Sequence, residues 1–249
     1  MLAPLEEPFM QRAIAEMTML ALAGGALGCW VVLYELSYAA ESLAHSLFPG
    51  LVIAAIAGIP LLLGATPAIV LAALAIALVG RVAGVGRDVG VAIVVTTMFG
   101  LGVLLALSPQ SPPGIESLLF GDILGPADSD LIAAAALLAL VAAALPFLHA
   151  RLLANGFDRT AARGLGLSPS LIEAALLVLL AAAIVVAVQG LGNLLVVAVF
   201  VGPAAAARNL CGRMAPTLAV SSAIAVLCGL AGLYLSYYVG TAAGASVAL

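Results

Sequence analysis

Residues 131–150 read "LIAAAALLALVAAALPFLHA", twenty positions in which one histidine is the only ionisable side chain. In helical form, about 20 such residues cross the ~30 Å hydrocarbon core of a bilayer. Seven further runs of similar character flank this one, so candidate spans lie near 13–34, 40–63, 66–83, 89–108, 130–149, 169–189, 191–210 and 216–240. Only "LLLGATPA" separates the second from the third, and "VQGLGN" the sixth from the seventh, so tight turns are expected there. The whole chain agrees: of 249 residues, 65% are hydrophobic and 8% charged, with a mean hydropathy of +1.29. A water-soluble domain carries roughly 25% charged residues. The expected fold is therefore all-α, a polytopic membrane protein with about eight transmembrane helices in a single domain over 1–249.

Charge sets the expected orientation. All eight basic residues are arginine, and the net charge is -4. Arg81 and Arg87 follow the third span, Arg151, Arg159 and Arg163 the fifth, and Arg208 and Arg213 the seventh. Two spans separate each of these loops from the next, so all three belong on one side, the cytoplasmic one. The loop after the fourth span, with Glu116, Asp122, Asp128 and Asp130 and no basic residue, then faces outward. Counting places both termini outside. The acidic N-terminal stretch "MLAPLEEPFMQRAIAEM" lacks the basic n-region of a cleavable signal peptide.

Several chemistries are unsupported. Cys29, Cys211 and Cys228 form no CxxC pair, which argues against a zinc knuckle or a disulfide framework. The chain has no lysine and no G-x-x-x-x-G-K-[ST], so it does not hydrolyse ATP by itself. No basic run reads as a nucleic-acid surface. An intramembrane hydrolase with His45 as base would need a paired nucleophile, yet neither G-x-S-x-G nor H-E-x-x-H is present.

The chemically informative stretch is "ESLAHSLFPG" (41–50). Glu41 and His45, spaced i, i+4, project from one helix face. An isolated charge at mid-membrane costs at least ~2.5–3.5 kcal/mol, so such groups face protein or a wet cavity. Carboxylate and imidazole together suit Zn²⁺ or Mn²⁺. Two ligands make a weak site, as a conduction path requires. Ser42 and Ser46 add polar surface nearby, and Pro49 removes the donor that would reach the His45 carbonyl, with Gly50 adding permissiveness. Spacing alone leaves a second reading open, an interface histidine beside a glutamate at the cytoplasmic edge. Thr96, Thr97 and Ser108 either line a pore or bond to their own helix. His149 marks a membrane interface, and Pro203 is a candidate break in the seventh span.

Four stretches carry a resemblance: "GGALGCWVVLYELSYAAESLAHSLFPGLVIA" (24–54), "SLLFGDILG" (117–125), "FDRTAARGLGLSPS" (157–170) and "LGNLLVVAVFVGPAAAARNL" (191–210). In register over roughly residues 9 to 240, the chain resembles the zinc/manganese-type permease subunits of bacterial ABC importers. That family typically shows D-A-L-S-H-A-x-x-P-G in its second span. The resemblance implies that Glu41 and His45 form the transient metal site, with Pro49 and Gly50 distorting the helix beside it. Glutamate replaces the usual aspartate and reaches one methylene further. The resemblance also makes 157–168 the cytoplasmic coupling segment, through Phe157, Asp158, Thr160, Ala161, Ala162 and Gly166. Thr160 stands where importer permeases commonly have the glutamate of E-A-A-x-x-x-G. The first inside loop, "YELSY", lacks the family's basic residues and leaves Glu35 in search of a partner. The implied setting is the bacterial inner membrane. The implied partners are cytoplasmic ATPase subunits, an extracytoplasmic metal-binding protein docking on the acidic outer loops, and a second copy of the chain. No permanent cofactor is implied; zinc or manganese is cargo. The rival within transport is a permease for a metal chelate or siderophore.

Overall fold

The computed structural model describes residues 6–79, 87–112, 115, 123, 125–192 and 195–249. Within them lie α1 (Pro8–Leu33), α2 (Ser37–Ser46), α3 (Phe48–Ala57), α4 (Leu61–Val79), α5 (Arg87–Ala106), α6 (Asp128–Phe157), α7 (Arg159–Gly164), α8 (Pro169–Leu191), α9 (Val196–Leu210), α10 (Met214–Val239) and α11 (Ala243–Ala248). No strand occurs among the described residues. Six segments are long and apolar enough to span a bilayer: Pro8–Leu33, Ser37–Ala57, Val89–Ala106, Asp128–Phe157, Pro169–Leu191 and Met214–Val239. Leu61–Ile76 and Val196–Leu210 are apolar but shorter. The polytopic all-α membrane fold read from the sequence is the observed one. Arg81, Glu116, Asp122 and most of the acidic stretch 117–125 fall outside the described residues.

Helix α1 is the axis of the bundle, and its small residues explain why. Lipid offers no hydrophobic drive between helices, so association depends on close packing. A Cβ on Gly28 would lie 1.9 Å from the Phe200 carbonyl oxygen of α9, and one on Gly25 would lie 2.7 Å from Ser222 Cα of α10. At this contact Ser221 Oγ donates to the Gly25 carbonyl at 2.7 Å and Ser222 Oγ to that of Leu22 at 3.1 Å. Trp30, Leu20, Leu27, Met10 and Met17 fill the remaining faces and are wholly buried.

Two expectations about chain breaks change. The turn between the second and third spans falls at Gly58–Pro60, where Gly58 takes a left-handed φ of 65°, and not at "LLLGATPA", which is helical. Pro67 and Pro203 both sit inside continuous helices. A proline deletes one hydrogen bond, whereas leaving the helix inside lipid would strand many backbone groups at once, so the helix continues.

The two ends of the bundle differ. Tyr34 Oη donates to the Leu152 carbonyl at 2.9 Å, and Arg208 Nη1 to that of Val32 at 3.4 Å. The last turns of α1, α6 and α9 therefore share one end, and Arg159, Arg163 and Arg213 follow from the same helix ends. At the opposite end an Arg12–Asp128 ion pair joins the starts of α1 and α6. Near it the buried Glu16 carboxylate packs against Gly190 of α8.

Candidate functional site

The second span is two helices. Leu47 separates α2 from α3, and its N–H bonds to the Ala44 carbonyl at 3.2 Å, a three-residue closure. Pro49 has no N–H to offer the His45 carbonyl, so the regular ladder lapses there. Gly50 does more than permit this. A Cβ on Gly50 would lie 2.2 Å from the Gly64 carbonyl oxygen, and one on Gly64 would lie 2.1 Å from that of Gly50. On the other side, a Cβ on Gly102 of α5 would meet the Phe48 ring at 2.5 Å and Pro49 N at 2.9 Å. Three glycines thus clamp the break between α4 and α5.

His45 occupies the last turn of α2, immediately before that break. Its Nε2 lies 3.8 Å from Glu41 Oε1, within ion-pair range and beyond a hydrogen bond. The side chains are 21% and 56% exposed respectively, so both remain reachable from outside the single chain. Phe99 of α5 lies against the imidazole, centroids 5.4 Å apart, and Phe48 backs Phe99 at 5.5 Å. His45 Nδ1 is buried without a hydrogen-bond partner among the described residues. Along α2, Glu41 stands ~6 Å and His45 ~12 Å from Ser37, which sets the pair toward the arginine-bearing end.

Other polar groups in or near the membrane take quieter places. Ser42 and Ser46 bond to the carbonyls of Tyr38 and Ser42, at 2.7 and 2.8 Å, and both are buried. Their hydroxyls serve their own helix, so they supply less polar surface than the sequence suggests. Thr97 does the same with Ile93 at 2.7 Å. Ser108 lies beyond the end of α5. His149 meets Trp30 edge-on, centroids 5.3 Å apart. Among the described residues, no group of three or more His, Cys, Asp or Glu could hold a metal ion. Glu41 and His45 stand together as a pair, with no third such group beside them among the described residues.

The segment expected to couple to an ATPase forms a separate site. Asp158 caps α7, its Oδ1 accepting from the N–H groups of Thr160 at 2.7 Å and Ala161 at 3.0 Å. Ala162 is buried and seats the helix on the bundle. Gly166, with φ 77°, closes it, and the Leu167 N–H reaches the Ala162 carbonyl at 3.0 Å. Arg159 forms an ion pair with Glu173 of α8. Thr160 and Ala161 face outward, and Phe157 and Leu165 are 79% and 73% exposed. Beside this segment sit two residues the sequence reading passed over. Asn155 is buried, and its Nδ2 donates to Tyr34 Oη at 3.2 Å. Burial pushes the Tyr34 hydroxyl above its ordinary pKa, against smaller opposing pulls from Asn155 and Arg159, so it stays neutral.

A half-exposed acid–histidine pair on a broken helix and a capped surface helix at one end occur here in one membrane bundle. The sequence profile of the ABC 3 transport family matches residues 6–249. The chain belongs to that family. It is 31% identical over 249 residues to the "Probable iron transport system membrane protein" of Haemophilus influenzae, covering 100% of this chain and 92% of that protein. It is 27% identical over 241 residues to the "Manganese transport system membrane protein MntC" of Listeria monocytogenes, covering 97% of this chain and 86% of that one. Among solved structures, "PsaBC from Streptococcus pneumoniae in complex with Fab" superposes with a TM-score of 0.90 at 26% identity, over 98% of this chain and 88% of that one. The ABC 3 chain described here is thus a multi-pass membrane transport subunit.

Proposed function

We propose that this chain is the permease domain of an ATP-driven, binding-protein-dependent importer for a divalent transition-metal ion, manganese or zinc. Glu41 and His45 would hold the ion transiently. The observation that carries this reading is the pair itself: a half-exposed carboxylate beside a histidine, at a clamped break in an otherwise apolar span. Facing lipid, that carboxylate would cost at least ~2.5–3.5 kcal/mol. A second copy of the chain, paired about a two-fold axis, would cover it and supply a second Glu41 and His45 around a shared wet path. Protonation of either group competes with the ion, because the neutral imidazole and ionised carboxylate are the metal-binding forms.

In this scheme the arginine-bearing end faces the cytoplasm, a placement the distribution of positive charge supports. The segment 157–168 docks on an ATPase subunit through Phe157, Thr160 and Ala161, with Asp158, Ala162 and Gly166 shaping it. An extracytoplasmic binding protein delivers the ion at the opposite end. The names of relatives favour metals but divide on the cargo: Listeria MntC is a manganese protein, and the Yersinia pestis relative, 31% identical over 98% of this chain, is a "Chelated iron transport system membrane protein YfeC". A chelate permease is therefore the rival reading.

Metal uptake into proteoliposomes holding the permease, its ATPase and its binding protein tests both readings. Glu41→Gln and His45→Ala are each expected to slow manganese or zinc uptake at least about tenfold, with the complex still assembled. Full-rate uptake by both variants would remove the site. Uptake only of chelated metal, insensitive to both substitutions, would favour the rival.

A further inference from the structure

A pocket of about 540 Å³ opens beside α7, at the arginine-bearing end. Tyr34, Glu35, Asn155, Asp158, Arg159 and Glu173 supply its polar wall. Three carboxylates face one guanidinium there, and that guanidinium is already paired with Glu173. Glu35 is exposed, and its side chain makes no ion pair or hydrogen bond among the described residues. It is also their one non-glycine residue with positive φ, at 57°.

Asn155 identifies what is missing. The residue is 2% exposed. Tyr34 gives its hydroxyl hydrogen to the Leu152 carbonyl, so it accepts from Asn155 Nδ2. That relay fixes the amide orientation and leaves Oδ1, on a residue that lines the pocket, buried with no donor among the described residues. A buried acceptor without a donor is costly. The pocket thus offers unspent acceptors and net negative charge, and its complement is a cation rich in N–H groups. An anionic lipid headgroup has the wrong sign, and the carboxylates do not converge as a metal-ligating group.

We propose that this pocket receives an arginine or lysine side chain of the partner ATPase, fixing the register in which 157–166 docks. The proposal rests on the reading of that segment as the ATPase contact. Phe157, at the pocket's edge, would supply the apolar part of the contact, while Glu35 and Asn155 Oδ1 supply its directional, charge-assisted part.

The test measures binding of the ATPase subunit of the same transporter to nanodisc-held permease, in ~50 and ~500 mM salt. Wild-type binding should weaken steeply with salt. Glu35→Gln should weaken binding about tenfold at low salt and flatten the salt dependence, and Glu35→Arg should weaken it further. An acidic substitution at the matching ATPase cation should restore binding to the Glu35→Arg variant. Glu35 is on the surface, so these variants keep the fold; Asn155→Leu is a second probe, read only where its melting curve matches wild type. Binding of both Glu35 variants within twofold of wild type, at unchanged salt dependence, overturns the proposal. So does loss of permease self-association in Glu35→Arg with no ATPase present, which would give the pocket to the second copy. Phe157→Ala separates the layers. If it weakens docking while the Glu35 variants do not, only the pocket assignment fails. If none of the three changes docking, the coupling-segment reading fails with it.

Discussion

Gly50→Ala tests whether the clamp around the helix break holds the proposed metal pair, Glu41 and His45, in place. The added Cβ would lie 2.2 Å from the Gly64 carbonyl oxygen and 2.6 Å from Ala68 Cβ, where ordinary contact begins at 3.4 Å. The shortfall at the carbonyl, 3.4 − 2.2, is 1.2 Å, and it falls on backbone that cannot rotate aside. Helices α3 and α4 must therefore separate by roughly an ångström. Overpacking of this kind costs about 1–3 kcal/mol. Separation also loses part of the dispersion contact along the crossing, since a 0.5–1 Å gap forfeits a quarter to a half of each atom pair's well. Because Pro49 is held against Gly102 on the other side, the shift passes to the end of α2, where His45 sits. We expect a melting temperature lower by several degrees in detergent and metal uptake reduced at least fivefold at matched expression. Gly100→Ala is the control: it is helical, and nothing lies within 4 Å of its added Cβ. It should be neutral, or stabilising by up to ~1 kcal/mol through helix propensity. Wild-type melting and wild-type uptake in Gly50→Ala would refute the clamp.

Three further outcomes follow from particular contacts. Asp158→Ala removes both acceptor bonds that start α7 and should cost about 1 kcal/mol of that helix; ATP hydrolysis stimulated by the permease should fall several-fold, with Asp158→Asn largely restoring it. Ser221→Ala deletes the bond to the Gly25 carbonyl and should lower stability by about 0.6 kcal/mol, the usual worth of such a bond between membrane helices, read as a melting shift of a degree or two. Glu35→Gly relieves a left-handed backbone worth ~1–2 kcal/mol, against ~0.5–1 kcal/mol of added glycine entropy. The variant should therefore melt slightly higher while binding the ATPase more weakly, a pairing that simple damage would not produce.

Hydropathy made the helices legible because lipid leaves the backbone almost no alternative. The same fact explains the misplaced turn: Pro67 reads as a breaker in water but is absorbed in a helix that cannot afford to stop. Glu41 and His45 stood out because ionisable groups are rare in so apolar a segment, and their pairing followed from helical spacing alone. Ser42 and Ser46 misled, since composition does not say whether a hydroxyl faces a path or its own carbonyl. The clamp of Gly50, Gly64 and Gly102 was invisible for a different reason. Each glycine matters only through a neighbour distant in sequence, and no local pattern names that neighbour. The α1 contact did leave a trace, the small residues Gly24 and Gly28 four apart, which is the spacing of close helix crossings. Tyr34 and Asn155 left none: they meet only because α1 and α6 run parallel to the same end.

That common end joins the two proposed sites in one element. Glu35 lies in the turn that closes α1, and α2 begins at Ser37, so Glu41 follows the pocket by only six positions. The pocket's other wall is α6 and α7, tied to α8 by the Arg159–Glu173 pair and to α1 by the Tyr34–Leu152 bond. A partner gripping this wall holds the starts of α2 and α8 and the end of α6. The opposite end of α2 is held by the glycine clamp on α4 and α5. Helix α2 is thus a short rigid lever between two anchorages, with Glu41 and His45 on its length and a lapse in its hydrogen bonding at Leu47. Relative movement of the anchorages must appear at that lapse, because it is the place in the span where the ladder is already open. His45 sits on the last turn before it and Glu41 one turn earlier, so a small rotation of α2 changes what the imidazole and carboxylate face.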